Sequence, residues 1–157
     1  MEPIIIEFIP NNLGRVIFLA EVMTGDFKSF RDVSFKLDSG SDFTTINVKD
    51  LFDLGYTREF LEKCPHHKTS ASTADESDLP LQYISNVSIK FNERELQSCR
   101  IFFALDTKLK SLFGSDILKY FNRDINYDTG ILRLNERVNK PQLSEGETPL
   151  QIYALES

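Results

Sequence analysis

Apolar and polar residues alternate along much of the chain with the period of two that is typical of β-strands. The clearest case is the run 30–37, in which Val33, Phe35 and Leu37 alternate with polar residues, apart from one slip. We expect further strands at residues 4–9, 15–23, 43–46, 81–91, 96–104, 124–127 and 131–134. Asp128-Thr129-Gly130 joins the last two, with glycine where a hairpin needs positive φ.

The period changes between residues 47 and 64, where apolar residues cluster as they do on helices. Two short helices are predicted, over residues 48–54 and 57–63, with Thr57 capping the second and Pro65 ending it. A third short helix is predicted over residues 116–121, with Asp116 as its N-cap. Many short strands and few helices predict a mostly β barrel or sandwich, with one short helix near the C-terminus and one or two extra.

The length of 157 residues suits one domain. The strand pattern fades after Asn135, and residues 139–148 are polar, with Pro141 and Gly146. We therefore predict one domain over residues 1–135 and a C-terminal tail or interface strand over residues 136–157. Within that segment, residues 150–155 fit either a last edge strand or a segment that pairs with a partner.

The net charge of the chain argues against two classes of binding partner. The 18 Lys and Arg against 24 Asp and Glu give a net charge of −6, which argues against binding nucleic acid or an anionic membrane.

Cys64 and Cys99 lie far apart and fit free thiols, and the apolar start of the chain has no basic leader. A cytoplasmic protein is the simplest interpretation. His66 and His67 fit a solvated loop better than a metal site, and no metal or other cofactor is expected.

Asp38-Ser39-Gly40 is the first candidate for chemistry. By itself the tripeptide is an ordinary turn, because Asp and Ser cap turns and Gly permits positive φ. Here, however, the apolar run 30–37 enters it, and Phe43 and Ile46 follow. An acidic residue delivered by a buried strand is costly unless it is hydrogen-bonded or shares a proton. The context therefore favours a functional carboxylate at Asp38.

A second segment strengthens this interpretation. Leu112-Phe113-Gly114 ends an apolar run and precedes the predicted helix and hairpin. Together, residues 37–46 and 112–134 resemble the retroviral-type (retropepsin-like) aspartic protease family. In that family an apolar residue, Asp, Ser or Thr, and Gly form the catalytic loop, and an apolar-apolar-Gly segment precedes the single helix. The resemblance extends over residues 15–134 and is weak between the two segments.

The resemblance implies a closed β-barrel that pairs as a homodimer, each subunit giving its Asp38 to a shared dyad. Asp128-Thr129-Gly130 has the same residue types but is the predicted hairpin turn, so one tripeptide is left to form the catalytic loop, and a dyad requires a second copy. The implied activity is an aspartic endopeptidase acting on a peptide or protein substrate, with water activated by two carboxylates that share one proton. By the same resemblance, the Ser39 hydroxyl bonds across the dimer axis, and Gly40 lets its N–H approach the carboxylate.

The family also closes a hairpin, the flap, over its substrate. Its place in the chain corresponds to residues 69–81, and Ala71, Ser72, Thr73 and Ala74 are the predicted substrate-contacting residues. This segment has no Gly at its tip and is acidic, unlike the usual family pattern. That departure keeps an alternative open, namely a catalytically silent retropepsin-like module for peptide binding or dimerisation.

Overall fold

A computed structural model describes residues 2–26, 29–67, 71–72, 78–106, 108–144 and 146–155, with the backbone alone for residues 71–72 and 78–79. Its helices are α1 (Val48–Leu54), α2 (Arg58–Glu62) and α3 (Ser115–Leu118). Its strands are β1 (Ile4–Glu7), β2 (Ile17–Met23), β3 (Arg31–Leu37), β4 (Ala71–Ser72), β5 (Asp78–Leu79), β6 (Gln82–Phe91), β7 (Arg94–Phe103), β8 (Leu112–Phe113), β9 (Phe121–Asn126), β10 (Ile131–Glu136) and β11 (Gln151–Ala154). The described chain is mostly β, as the alternating pattern predicts.

The larger sheet has six strands in the order β11-β7-β6-β2-β3-β8. Its neighbours are antiparallel except for β3 and β8, which run parallel, with Leu37 opposite Phe113. The run 43–46, predicted as a strand, contributes only bridges at Thr45, one to Phe102 in β7 and one to Leu112 in β8. Thr45 thus connects β7 and β8, which are not neighbours in the order of the sheet.

Phenylalanines form much of the core. Phe18 of β2, Phe35 of β3, Phe91 of β6 and Phe113 of β8 are all buried. The ring centroids of Phe18 and Phe113 lie 5.4 Å apart, and those of Phe35 and Phe113 5.8 Å apart, at angles typical of edge-to-face pairs. Phe113 is therefore fixed by several strands at once, and it holds β8 in place beside β3.

The smaller sheet has the order β1-β10-β9. Ile4 and Ile6 of β1 are buried opposite Leu134 and Leu132 of β10. The hairpin between β9 and β10 ends at Gly130, whose φ of 71° lies in the left-handed region that the sequence predicts there. A side chain at Gly130 is also excluded, because its Cβ would lie 2.2 Å from the carbonyl oxygen of Phe8.

Helix α1 has the predicted bounds, and Thr57 caps α2 by accepting a hydrogen bond from the Phe60 N–H. Helix α3 is shorter than predicted, because Phe121 already belongs to β9. Near the C-terminus, β11 pairs with β7 of the same chain. The division at residue 135 remains a prediction. Among the described residues, no helix has the length and apolar character needed to cross a membrane.

Candidate active site

Asp38 directly follows β3, and backbone hydrogen bonds fix the residues on both sides of this junction. The Leu37 N–H donates to the carbonyl oxygen of Val16 at 2.8 Å, and the Asp38 N–H donates to that of Phe113 at 3.0 Å. Asp38 is half-buried, while Ser39 and Gly40 are exposed. The parallel β3–β8 pair therefore delivers a carboxyl group from the core to the surface at a fixed position.

The loop after Asp38 turns back on the carboxyl group. The Gly40 N–H donates to Asp38 Oδ1 at 3.0 Å, and the Ser41 N–H donates to the Asp38 carbonyl at 3.1 Å. A Cβ at Gly40 would lie 3.3 Å from Asp38 Oδ1, which is tighter than an ordinary contact. The absence of a side chain at position 40 thus gives the carboxyl group room beside the backbone. The catalytic roles of Asp38, Ser39 and Gly40 remain predictions.

Gly114 lets α3 approach this loop closely. A Cβ at this position would lie 2.4 Å from the carbonyl oxygen of Phe43 and 2.9 Å from that of Ser41, so no side chain fits. The next residue, Ser115, donates its N–H to the Ser41 carbonyl at 2.8 Å. The apolar-apolar-Gly segment therefore contacts the Asp38 loop directly.

Asp116 has a different role from the predicted one. The N-cap of α3 is Gly114, with no side-chain cap, and Asp116 lies in the first turn. Its Oδ2 accepts the Thr44 N–H at 2.9 Å, and its Oδ1 accepts the Thr44 hydroxyl at 2.6 Å. Thr44 Oγ1 in turn accepts the Gly114 N–H at 3.1 Å. The N-cap prediction was wrong, because the Asp116 carboxylate accepts hydrogen bonds from Thr44, which is distant from it along the chain.

The pKa of Asp116 depends on its burial and on these hydrogen bonds. Burial raises its pKa, and the hydrogen bonds from Thr44 and Ile117 offset this only in part. Thr44 itself is fully buried, so its N–H depends on Asp116 for an acceptor. The sequence signal for this pair was weak, since a Thr and an Asp far apart in the chain give no local pattern.

The predicted flap lies partly within the described residues. Ala71 pairs with Leu79 and Ser72 with Asp78 in the antiparallel pair β4–β5, which lies within the predicted flap segment. Thr73 and Ala74 lie outside the described residues. Contact between these four residues and a substrate remains a prediction.

His67 is not the solvated loop residue that the sequence suggested. Its ring lies 4.8 Å from that of Phe43 and 5.3 Å from that of Phe102, measured between centroids. His66 is exposed, as expected. Within the described residues, no three His, Cys, Asp or Glu side chains come close enough to hold a metal ion.

A cleft of about 720 Å³ opens beside this aromatic cluster. Asp42 and Phe43, which follow the Asp38 loop, line one part of it, and α3 and residues 146–150 line another. Arg100 extends over the rings of Tyr83 and Phe102, 5.4 and 5.5 Å from their centroids. Asp38, Ser39 and Gly40 are not among the described residues that line this cleft.

Comparison with known proteins adds evidence on the fold. No protein-family model matches the sequence, and no curated protein matches it. Among solved structures, the chain is similar to a retropepsin-like aspartic protease from Rickettsia conorii, with a TM-score of 0.56 over 98% of this chain and 93% of that chain. The two sequences are 20% identical, so the likeness concerns the fold. This chain has a mostly β fold that resembles the retropepsin-like one.

Proposed function

We propose that the protein is a homodimeric aspartic endopeptidase that hydrolyses peptide or protein substrates with a water activated by the two Asp38 carboxyl groups. The observation that carries this proposal is the position of Asp38. It is half-buried at the end of a core strand, its backbone is tied to Phe113, and its carboxylate accepts the Gly40 N–H. The similar fold of a retropepsin-like protease supports the same assignment.

The chemistry follows from electrostatics. Two carboxyl groups about 3 Å apart cannot both ionise, so the pair holds one proton over a wide pH range. The ionised member takes a proton from water as the water attacks the peptide carbonyl, and the protonated member donates to the carbonyl oxygen. The C–N bond of the tetrahedral intermediate then breaks as the amine takes a proton from the pair and leaves. The two carboxyl groups titrate as a unit, so neither subunit is permanently the acid or the base. In this proposal the hydroxyl of Ser39, which is exposed, bonds across the dimer axis.

The closed barrel, the flap and the cytoplasmic location are also part of this proposal. A closed barrel is supported by the bridges of Thr45, which connect β8 to β7 and so link the two sides of the larger sheet. The β4–β5 hairpin would serve as the flap, with residues 71–74 over the substrate. Cys64 and Cys99 are separate free thiols, which supports a cytoplasmic location.

A cleavage assay tests the proposal. Purified protein is incubated with a diverse peptide pool from acidic to neutral pH, beside the variant Asp38→Asn, and products are identified by mass spectrometry. We expect cleavage by the wild type and a loss of at least about 10³-fold in the variant, the scale found when a member of a catalytic unit is removed. Asp32→Asn is the matched control, because Asp32 is an exposed carboxylate on the same strand.

Equal cleavage by the wild type and D38N would contradict the proposal. Peptide binding without detectable cleavage would instead support the silent module, which the acidic, Gly-free segment between β4 and β5 favours. Binding is measured on the same peptide pool by retention of fluorescent peptides, so that the two functions are distinguished in one preparation.

A further inference from the structure

One arginine in the cleft beside the aromatic cluster has no acidic partner. Arg100 of β7 lines this cleft and is half-buried, and it forms no ion pair with any described residue. A guanidinium keeps its charge at every pH at which the protein is folded, so its charge is neutralised only when an anion binds beside it. Arg100 therefore offers a binding site for an anionic group.

Two aromatic rings hold the Arg100 guanidinium in place. Its central carbon, Cζ, lies 5.4 Å from the ring centroid of Tyr83 and 5.5 Å from that of Phe102. Tyr83 stands opposite Phe102 in the β6–β7 pair, and Arg100 and Phe102 share a face because they are two residues apart on β7. A guanidinium stacked on rings keeps its in-plane N–H groups for a planar acceptor, and a carboxylate can accept two of them at once.

The other charged side chains of the cleft are mostly paired. The Lys119 amino group lies 2.7 Å from the carboxylate of Glu147, and the Asp116 carboxylate already accepts hydrogen bonds from its neighbours. Asp42 is exposed and, like Arg100, forms no ion pair with any described residue. An anionic group in the cleft is therefore attracted towards Arg100 and repelled from the part that Asp42 lines.

The cleft adjoins the Asp38 loop through Phe43. The ring of Phe43 lies 4.5 Å from that of Phe102, the same ring that the Arg100 guanidinium contacts. Asp42 is four residues after Asp38, so their Cα atoms are no more than about 14 Å apart, the span of four extended residues. A peptide that lies extended at Asp38 covers this distance with about four residues of its own.

We propose that this cleft binds an acidic side chain of a peptide substrate, with the Arg100 guanidinium donating hydrogen bonds to its carboxylate. The inference rests on the proposed function and names its substrate class, a peptide with Asp or Glu at one fixed position several residues from the cleaved bond. A nucleic acid fits this cleft poorly, because many phosphates would meet one unpaired guanidinium on a chain with a net charge of −6.

Peptide binding tests the site without requiring cleavage. The probe is a peptide retained from the diverse pool, with a neutral fluorophore at its N-terminus and an amide at its C-terminus, so that side chains supply every carboxylate. Glu and Gln are exchanged at each position in turn, and affinities for D38N protein are measured by fluorescence anisotropy. We expect Glu to bind about tenfold more tightly than Gln at one position, as one charge-assisted, bidentate pair should.

Variants of Arg100 assign this preference to the guanidinium. Arg100→Gln should bring the Glu to Gln ratio close to one, and Arg100→Lys should keep part of it, because Lys retains the charge without the planar fork. Arg100→Glu should instead favour Lys over Gln at the same position, a gain that an unfolded protein could not show. Arg31→Gln is the matched control, since Arg31 is exposed on β3 and is not among the residues that line the cleft.

Cleavage of the same peptides separates this inference from the proposed function. In protein with Asp38 intact, kcat/KM should show the same preference for Glu at the same position. Retention of no peptide, equal binding of Glu and Gln at every position, or a preference unchanged by R100Q would each overturn the acidic site, and Asp38-dependent cleavage would still stand by its own assay. A preference that depends on Arg100 in a protein that never cleaves would support the site and count against the endopeptidase.

Discussion

At the scale of single residues, the hydrogen bond between Asp116 and Thr44 gives a prediction about the free energy of unfolding. Replacing Asp116 with Ala leaves the buried Thr44 N–H without its acceptor. An unsatisfied buried donor costs about 1–3 kcal/mol, so we expect D116A to lose that much free energy of unfolding in urea titrations. Asp50→Ala is a useful control, because Asp50 accepts a hydrogen bond from the hydroxyl of Ser111, which is half-buried, whereas Thr44 is fully buried.

The same residue gives a pH dependence whose sign can be worked out. Burial raises the pKa of Asp116 above its ordinary value of 3.8, so the folded chain binds this proton more tightly than the unfolded chain. The resulting stability is fully present below the ordinary value and is lost as the pH rises through the folded-state value. Relative to D116N, which does not titrate, the wild type should therefore gain stability as the pH falls from 7 towards about 4. Parallel curves for the two proteins would exclude this role of Asp116.

At the scale of elements, most strands and two helices followed from the sequence. Alternating residues predict β3 because one side of the strand packs on the core, a nearly continuous apolar run predicts β2, and local capping predicts α2 through Thr57. The third helix was predicted too long because Phe121 fits either a helix or a strand by local pattern. The Asp38 loop was found from its local sequence, whereas the Thr44–Asp116 bond and the packing of His67 required contacts between distant segments. Local patterns carry no information on such contacts.

The approach of α3 to the Asp38 loop gives a prediction at the same scale. Gly114→Ala places a Cβ against the backbone carbonyls of Phe43 and Ser41, so the loop or the helix has to move. Overpacking of this kind costs about 1–3 kcal/mol, and we expect that loss in the free energy of unfolding together with reduced cleavage. Gly25→Ala is the matched control, since its Cβ would meet nothing closer than 3.9 Å. A G114A protein as stable as G25A would show that this contact is dispensable.

At the scale of the whole molecule, a site assembled from two chains gives a distinctive response to mixing. Wild-type and D38N subunits that exchange freely form wild-type, mixed and variant dimers in the ratio 1:2:1 when combined equally. A mixed dimer has one Asp38 and lacks the pair of carboxyl groups that share a proton. Cleavage should therefore fall to about one quarter of that of the same total concentration of wild type. The mixture is first equilibrated above the dimer dissociation constant, and D32N, which keeps Asp38, should leave the rate unchanged in the same mixing series. A fall to one half would mean that each chain acts on its own, and the shared site would have to be abandoned.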